Sequence, residues 1–114
     1  MMKGKELVKK WILALESGKF EQGMGRLIAQ YDNNSYAYCC LGVLGRVCGF
    51  SKEKLSSGCN NNDYYEFTED WWEKRGMDDL KIDQSRLITL NDERDYSFKK
   101  IASYLRNKIQ WRKK

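Results

Sequence analysis

The block Tyr36-Ala37-Tyr38-Cys39-Cys40-Leu41-Gly42-Val43-Leu44 constrains the fold more than any other part of the chain. The spacing of Cys40, Leu41, Leu44, Val47 and Cys48 places one apolar face on a helix over residues 37–49, ended by Gly49. Gly42 and Gly45 lie largely off that stripe, and each costs a helix interior roughly 1 kcal/mol relative to alanine. Something must offset that cost. The two readings are close approach of another helix or stretch of backbone, and close approach of a ligand.

The rest of the chain supplies partners for this helix. Residues 3–17 read as an amphipathic helix with Leu7, Trp11, Ala14 and Leu15 on one face, and Gly18 is placed to end it in a left-handed conformation. Residues 26–30 and 35–38 are spaced to form a short hairpin across Asn33-Asn34, because Asn tolerates the positive φ of tight turns. Residues 50–67 read as a polar surface loop ending in a short extended piece at Tyr64–Phe67. Thr68 then caps a short helix that carries Glu69 and Asp70 in its first turn, followed by Trp71 and Trp72, and stops at Gly76. A second short helix covers Gln84 to Leu90. Asp95 or Ser97 caps the last one, where Phe98, Ile101, Ala102, Leu105 and Ile109 form an apolar stripe. The fold class expected is mainly α: a single domain over 1–114, with three principal helices, two short ones and a small hairpin.

What the chain lacks narrows its chemistry. It has no histidine, which removes Ser-His-Asp and Cys-His catalysis, histidine metal centres and the commonest general base near neutral pH. Its four cysteines, at 39, 40, 48 and 59, contain no CxxC pair; vicinal Cys39 and Cys40 suit buried thiols better than disulfides or zinc. No apolar run approaches the roughly 18 residues of a membrane span, and the N-terminus does not read as a secretory signal. The expectation is a cytoplasmic protein, not an enzyme, with no metal and no cofactor.

The net charge of +5 is unevenly spread. Residues 1–50 hold 7 Lys/Arg against 4 Asp/Glu, residues 51–95 hold 7 against 12, and residues 96–114 hold 7 against none. The basic end can meet an anion, neutralise the acidic middle within the fold, or complement a helix dipole.

Several motifs together resemble a known group. They are Trp11-Ile12-Leu13-Ala14-Leu15-Glu16-Ser17-Gly18, the Gln22-Gly23 segment, Tyr38-Cys39-Cys40-Leu41-Gly42-Val43-Leu44, Leu90-Asn91-Asp92, and Ser97-Phe98-Lys99-Lys100-Ile101-Ala102. This pattern resembles a family of small proteins found widely in bacteriophage genomes and prophages. The resemblance implies a setting in a host bacterial cytoplasm and brings no catalytic residues with it. The acidic, Trp-rich stretch 51–81 departs from the pattern.

Candidate site residues follow from chemistry. Gly23-Met24-Gly25 with Arg26 can offer backbone amides and a charge to a phosphate. Asn91 and Asp92 can present an amide and a carboxylate to a ligand, or simply satisfy a turn. Tyr38, Trp71 and Trp72, with Tyr64 and Tyr65, can stack a base. Adjacent Trp71 and Trp72 diverge by about 100° on a helix, so one is expected to be at least partly exposed. Glu69, Asp70 and Glu73 form an acidic face suited to a basic partner. Arg106 and Trp111 join them as candidate partner-interface residues, and Lys108, Arg112, Lys113 and Lys114 with Trp111 form a basic end that can grip nucleic acid.

These residues lead to a non-enzymatic phage-type binding protein that counteracts host defence. It either sequesters an anionic nucleotide-like ligand through Gln22, Arg26, Tyr38, Trp71, Trp72, Asn91 and Asp92, or docks on a host immune protein. The alternative is a nucleic-acid accessory protein using the last helix. Both a monomer and a homodimer fit the sequence.

Overall fold

The apolar helix foreseen around Cys40 is the hub of the molecule in a computed structural model of the protein, which describes residues 2–30, 35–56 and 67–111. The elements run α1 (Gly4–Glu16), β1 (Glu21–Gln22), β2 (Ile28–Gln30), β3 (Tyr36–Tyr38), α2 (Cys40–Val47), α3 (Lys52–Ser56), α4 (Glu69–Lys74), α5 (Gln84–Asp92) and α6 (Phe98–Ile109). The fold is mainly α. None of the described helices is long and apolar enough to cross a membrane.

Helices α1 and α6 pack against each other, α1 also lies on α2, and α2 is backed by α3 and α5. The buried faces are those the spacing predicts: Leu7, Trp11 and Leu15 on α1, and Phe98, Ile101, Ala102, Leu105 and Ile109 on α6. Trp11 donates its indole N–H to the Cys40 carbonyl at 2.9 Å, tying α1 to the start of α2. Its ring meets Trp72 edge to face at 6.4 Å. Helix ends follow local chemistry. Gly18 takes φ +76 just beyond α1, Thr68 accepts from the Trp71 amide, and Ser97, rather than Asp95, accepts from the Lys100 amide.

Gly42 is required by backbone approach. A Cβ there would lie 1.8 Å from the Leu27 carbonyl oxygen, so the turn into β2 runs directly over α2. At Gly45 the neighbours are the side chains of Leu55 and Phe67. The cost of both glycines is therefore offset by close internal packing.

The structure departs from expectation in four places. Helix α2 begins at Cys40 rather than 37, because Tyr36–Tyr38 is recruited into a sheet. That sheet has the order β1-β3-β2 among the described residues. β2 and β3 pair antiparallel as the hairpin predicts, with Ile28 opposite Tyr38, although the turn at Asn33-Asn34 lies outside the described residues. β1 adds a parallel strand that two-residue Glu21–Gln22 does not announce in the sequence. A short helix, α3, interrupts the expected loop after Phe50, while Tyr64 and Tyr65 lie outside the described residues.

The fourth departure corrects the tryptophan expectation. Trp71 is 8% and Trp72 3% exposed, so neither is presented to solvent. The two rings do diverge, but α4 is covered on both sides. Trp72 faces Trp11 and donates to the Ile82 carbonyl at 2.8 Å. Trp71 stacks on Phe67 at 4.2 Å, with Phe50 at 5.9 Å and the Arg75 guanidinium 4.6 Å from its ring.

Candidate functional site

A cleft of about 820 Å³ opens where the end of α1, the sheet and the α2–α3 corner meet. Four short pieces of chain build it. Gly18 reverses the chain after α1 and leaves Lys19 and Phe20 at one wall. Alternation along β3 puts Tyr36 and Tyr38 on one face of the sheet. Arg46 comes from the last turn of α2, and Lys52 from the first turn of α3.

The walls are aromatic. Phe20 meets Tyr38 edge to face at 5.3 Å, and the Lys52 ammonium sits 4.3 Å from the centroid of Tyr36. Burial pushes the Tyr38 phenol above its ordinary pKa of 10, with Arg46 partly opposing that shift. The hydroxyl therefore stays protonated at neutral pH and can donate a hydrogen bond.

The cleft is also cationic. Lys19, Arg46 and Lys52 line it, against a single carboxylate, Glu21. The salt bridges among the described residues are Lys74–Asp70 and Arg106–Glu16, so none of these three cations pairs with a described carboxylate. Arg46 donates one N–H to the Phe50 carbonyl at 3.0 Å, which orients the guanidinium and leaves other donors available. Three cations and three aromatic rings around one concavity suit a ligand that is both anionic and planar.

The candidates named from sequence are only partly brought together. Tyr38 and Gln22 line the cleft, but the Gln22 amide is committed elsewhere. Its Nε2 donates to Asn91 Oδ1 at 3.0 Å and to the Tyr96 carbonyl at 2.7 Å, and its Oε1 accepts from the Phe98 amide at 3.0 Å. Asn91 is fully buried in the last turn of α5, not in an interhelical turn. Its Oδ1 also accepts from the Cys40 amide at 3.3 Å, and its Nδ2 donates to the Gly23 carbonyl and to Asp92. Both amides are thus saturated by the protein, with Asp92 holding Asn91 in place. Gly23 is drawn into the same network, donating its amide to the Tyr38 carbonyl at 2.7 Å.

The other candidates lie apart from the cleft. Arg26 is exposed and does not line it, and Trp71 and Trp72 are in the core. Glu69 and Glu73 line a separate groove of about 390 Å³ with Asp78 and Asp83 on its edge, while Asp70 pairs with Lys74 at 3.1 Å. Arg106 grips Glu16 through two bonds, at 2.7 and 3.2 Å, and lies 4.4 Å from the Trp111 ring.

Lys19, Phe20, Tyr36, Arg46 and Lys52 are the cleft residues that the sequence did not single out. The one readable signal was the Tyr-x-Tyr alternation at 36 and 38. None of the described cysteines, Cys39, Cys40 and Cys48, lines the cleft. Cys39 and Cys40 are buried in α2 and its cap, burial pushes the Cys39 thiol up to about 12, and the Cys40 thiol is raised as well. Such thiols are poor nucleophiles.

No curated protein and no solved structure matches the chain. A family model matches residues 2–78, which takes in every cleft residue and leaves out α5 and α6. On that match, which covers more than half of its length, the chain belongs to the family described as Domain of unknown function (DUF8296).

Proposed function

We propose that the protein is a non-enzymatic binding protein that retains a small, anionic, nucleotide-like ligand in the cleft between α1, β3 and the α2–α3 corner. The observation that carries this reading is the convergence of Lys19, Arg46 and Lys52, which have no carboxylate partner among the described residues, on a cavity walled by Phe20, Tyr36 and Tyr38. Cations hold the phosphates, while an aromatic wall accepts a base, each stacked ring being worth roughly 1–3 kcal/mol. A volume of about 820 Å³ falls within the range of small-molecule sites. The chain has no histidine and the described lining of the cleft no cysteine to act as base or nucleophile, which supports retention over turnover.

In the setting that the resemblance to bacteriophage proteins suggests, retention counteracts host defence by withdrawing a nucleotide signal in the bacterial cytoplasm. Native mass spectrometry of the protein isolated from bacterial cells tests this. A retained mass of a few hundred daltons, released on denaturation and absorbing as a nucleobase, is the expected result. A bare chain that also gains no mass when mixed with mononucleotides, dinucleotides and cyclic dinucleotides contradicts it.

A second reading has its own support in the acidic groove beside α4. Glu69, Glu73, Asp78 and Asp83 are exposed there against one cation, Lys81, and Trp72 and Ile82 also line the groove. This arrangement suits docking onto a basic face of a host immune protein. Reversing Glu69, Asp70 and Glu73 to lysine should abolish co-purification of such a partner, whereas unchanged capture contradicts the reading.

A further inference from the structure

We infer that the outer surface of the α1–α6 pair is a second, independent binding surface that docks on the phosphate backbone of duplex DNA without reading its sequence. The observation is a charge imbalance on these two helices. Helix α6 contains Lys99, Lys100, Arg106 and Lys108 and no carboxylate. Helix α1 contains Lys5, Lys9 and Lys10 against Glu6 and Glu16, and Glu16 is already neutralised by Arg106. Six lysines therefore face solvent against Glu6 alone, and none of the six makes a salt bridge among the described residues.

The two helices lie side by side. The Glu16–Arg106 pair joins the end of α1 to the body of α6, and the Lys9 ammonium lies 5.5 Å from the Trp111 ring just past α6. The helices thus run antiparallel, 13 and 12 residues long, and span about 20 and 18 Å. Duplex DNA carries about one phosphate charge per 1.7 Å of axis, so a face of this length meets several phosphates at once.

The side chains on the surface decide between occupants. Leu13 is the sole large apolar side chain exposed on either helix among the described residues, which leaves no cluster of anchors for a protein interface. The aromatic rings near α6 already carry cations: Lys100 over Tyr96 at 4.2 Å, Lys108 over Tyr104 at 5.6 Å, and Arg106 over Trp111 at 4.4 Å. Among the described residues, stacking an unpaired base on these rings would displace a cation that could otherwise meet a phosphate, which favours backbone contact over a single strand. The one arginine of the pair is engaged with Glu16, so no free guanidinium fork is offered to base edges. What remains is a set of flexible point charges, the chemistry of backbone contact rather than sequence readout.

The test is fluorescence polarisation of the full chain with short labelled duplexes of two unrelated sequences, between about 50 and 200 mM KCl. The proposal expects equal affinity for both sequences, falling with salt at a slope of about −0.9 per phosphate contacted. Lys99→Glu with Lys100→Glu should weaken binding at least tenfold and lower the slope by roughly 2. Arg46→Ala, in the cleft, should leave DNA binding unchanged, which keeps this surface separable from the small-ligand site. Absence of binding at the lowest salt, a slope near zero, wild-type affinity in the double lysine variant, or loss of DNA binding in Arg46→Ala would each overturn it.

Discussion

Gln22 and Asn91 lie 69 positions apart and are joined by a hydrogen bond of 3.0 Å from Gln22 Nε2 to Asn91 Oδ1. Around that bond the two amides also satisfy the backbone at Cys40, Gly23, Tyr96 and Phe98. Strand β1, the start of α2, the end of α5 and the start of α6 are therefore fixed to one another by two side chains. Asn91→Ala leaves the Gly23 carbonyl and the Cys40 amide without those partners inside the core. It should cost about 3 kcal/mol of stability. Urea unfolding checks this, and a loss below about 1 kcal/mol contradicts the structural role assigned to the amide.

The glycines of α2 should rank by what each added methyl meets. At Gly42 the obstacle is the Leu27 carbonyl at 1.8 Å, and the β2 segment cannot withdraw without breaking its pairing. Gly42→Ala should cost more than about 4 kcal/mol or prevent folding. At Gly45 the nearest atom is a terminal methyl of Leu55 at 2.7 Å, which can rotate away, so Gly45→Ala should cost about 1–3 kcal/mol. Gly18→Ala meets open space but retains φ +76, for a cost of about 1 kcal/mol. Denaturation midpoints for the three variants check the order.

The elements that were legible in the sequence are those whose signals are local. The stripes of α1 and α6 repeat at helical spacing, Thr68 and Ser97 cap the helices they precede, and Gly18 stops α1. Other features depend on distant partners. Strand β1 exists because Glu21–Gln22 finds β3, and both tryptophans are buried because α1 and Phe67 cover opposite sides of α4. The cleft was largely illegible for the same reason. Lys19, Arg46 and Lys52 look like ordinary surface charges until the fold places them together, whereas the polar Asn91 reads as a ligand contact until its four partners are seen.

Cysteine reactivity follows from burial. The Cys39 thiol is held at about 12, against about 9 for an unburied one. The neutral thiol is thus favoured in the folded state, and its contribution to stability is intact below pH 9. It is lost as pH rises from 9 toward 12, where the unfolded thiol ionises first. Stability measured by urea unfolding should fall across that window, and Cys39→Ser should reduce the slope. Iodoacetamide at pH 8 should label Cys39 and Cys40 in urea but spare them in the native protein. Rapid native labelling of either contradicts their placement in the core.

The partly buried pair of Arg106 and Glu16 clamps α6 to α1. Glu16→Gln removes the carboxylate while keeping the shape, and should cost about 1–2 kcal/mol. A thermal melt of the variant at low and high salt checks this. Because the pair is largely shielded, the loss should persist at high salt.

Calorimetric titration with a panel of mononucleotides, dinucleotides and cyclic dinucleotides decides whether the cleft takes the anionic, nucleotide-like ligand proposed for it. Three chains should be compared: the unmodified protein, Arg46→Glu with Lys52→Glu, and Arg26→Glu, whose charge lies outside the cleft. The unmodified protein should bind at least one member of the panel. Reversal at Arg46 and Lys52 should weaken binding at least tenfold, and Arg26→Glu should retain it. Heat from no nucleotide in the panel, or binding lost in Arg26→Glu and kept in the cleft variant, would rule out the proposed site.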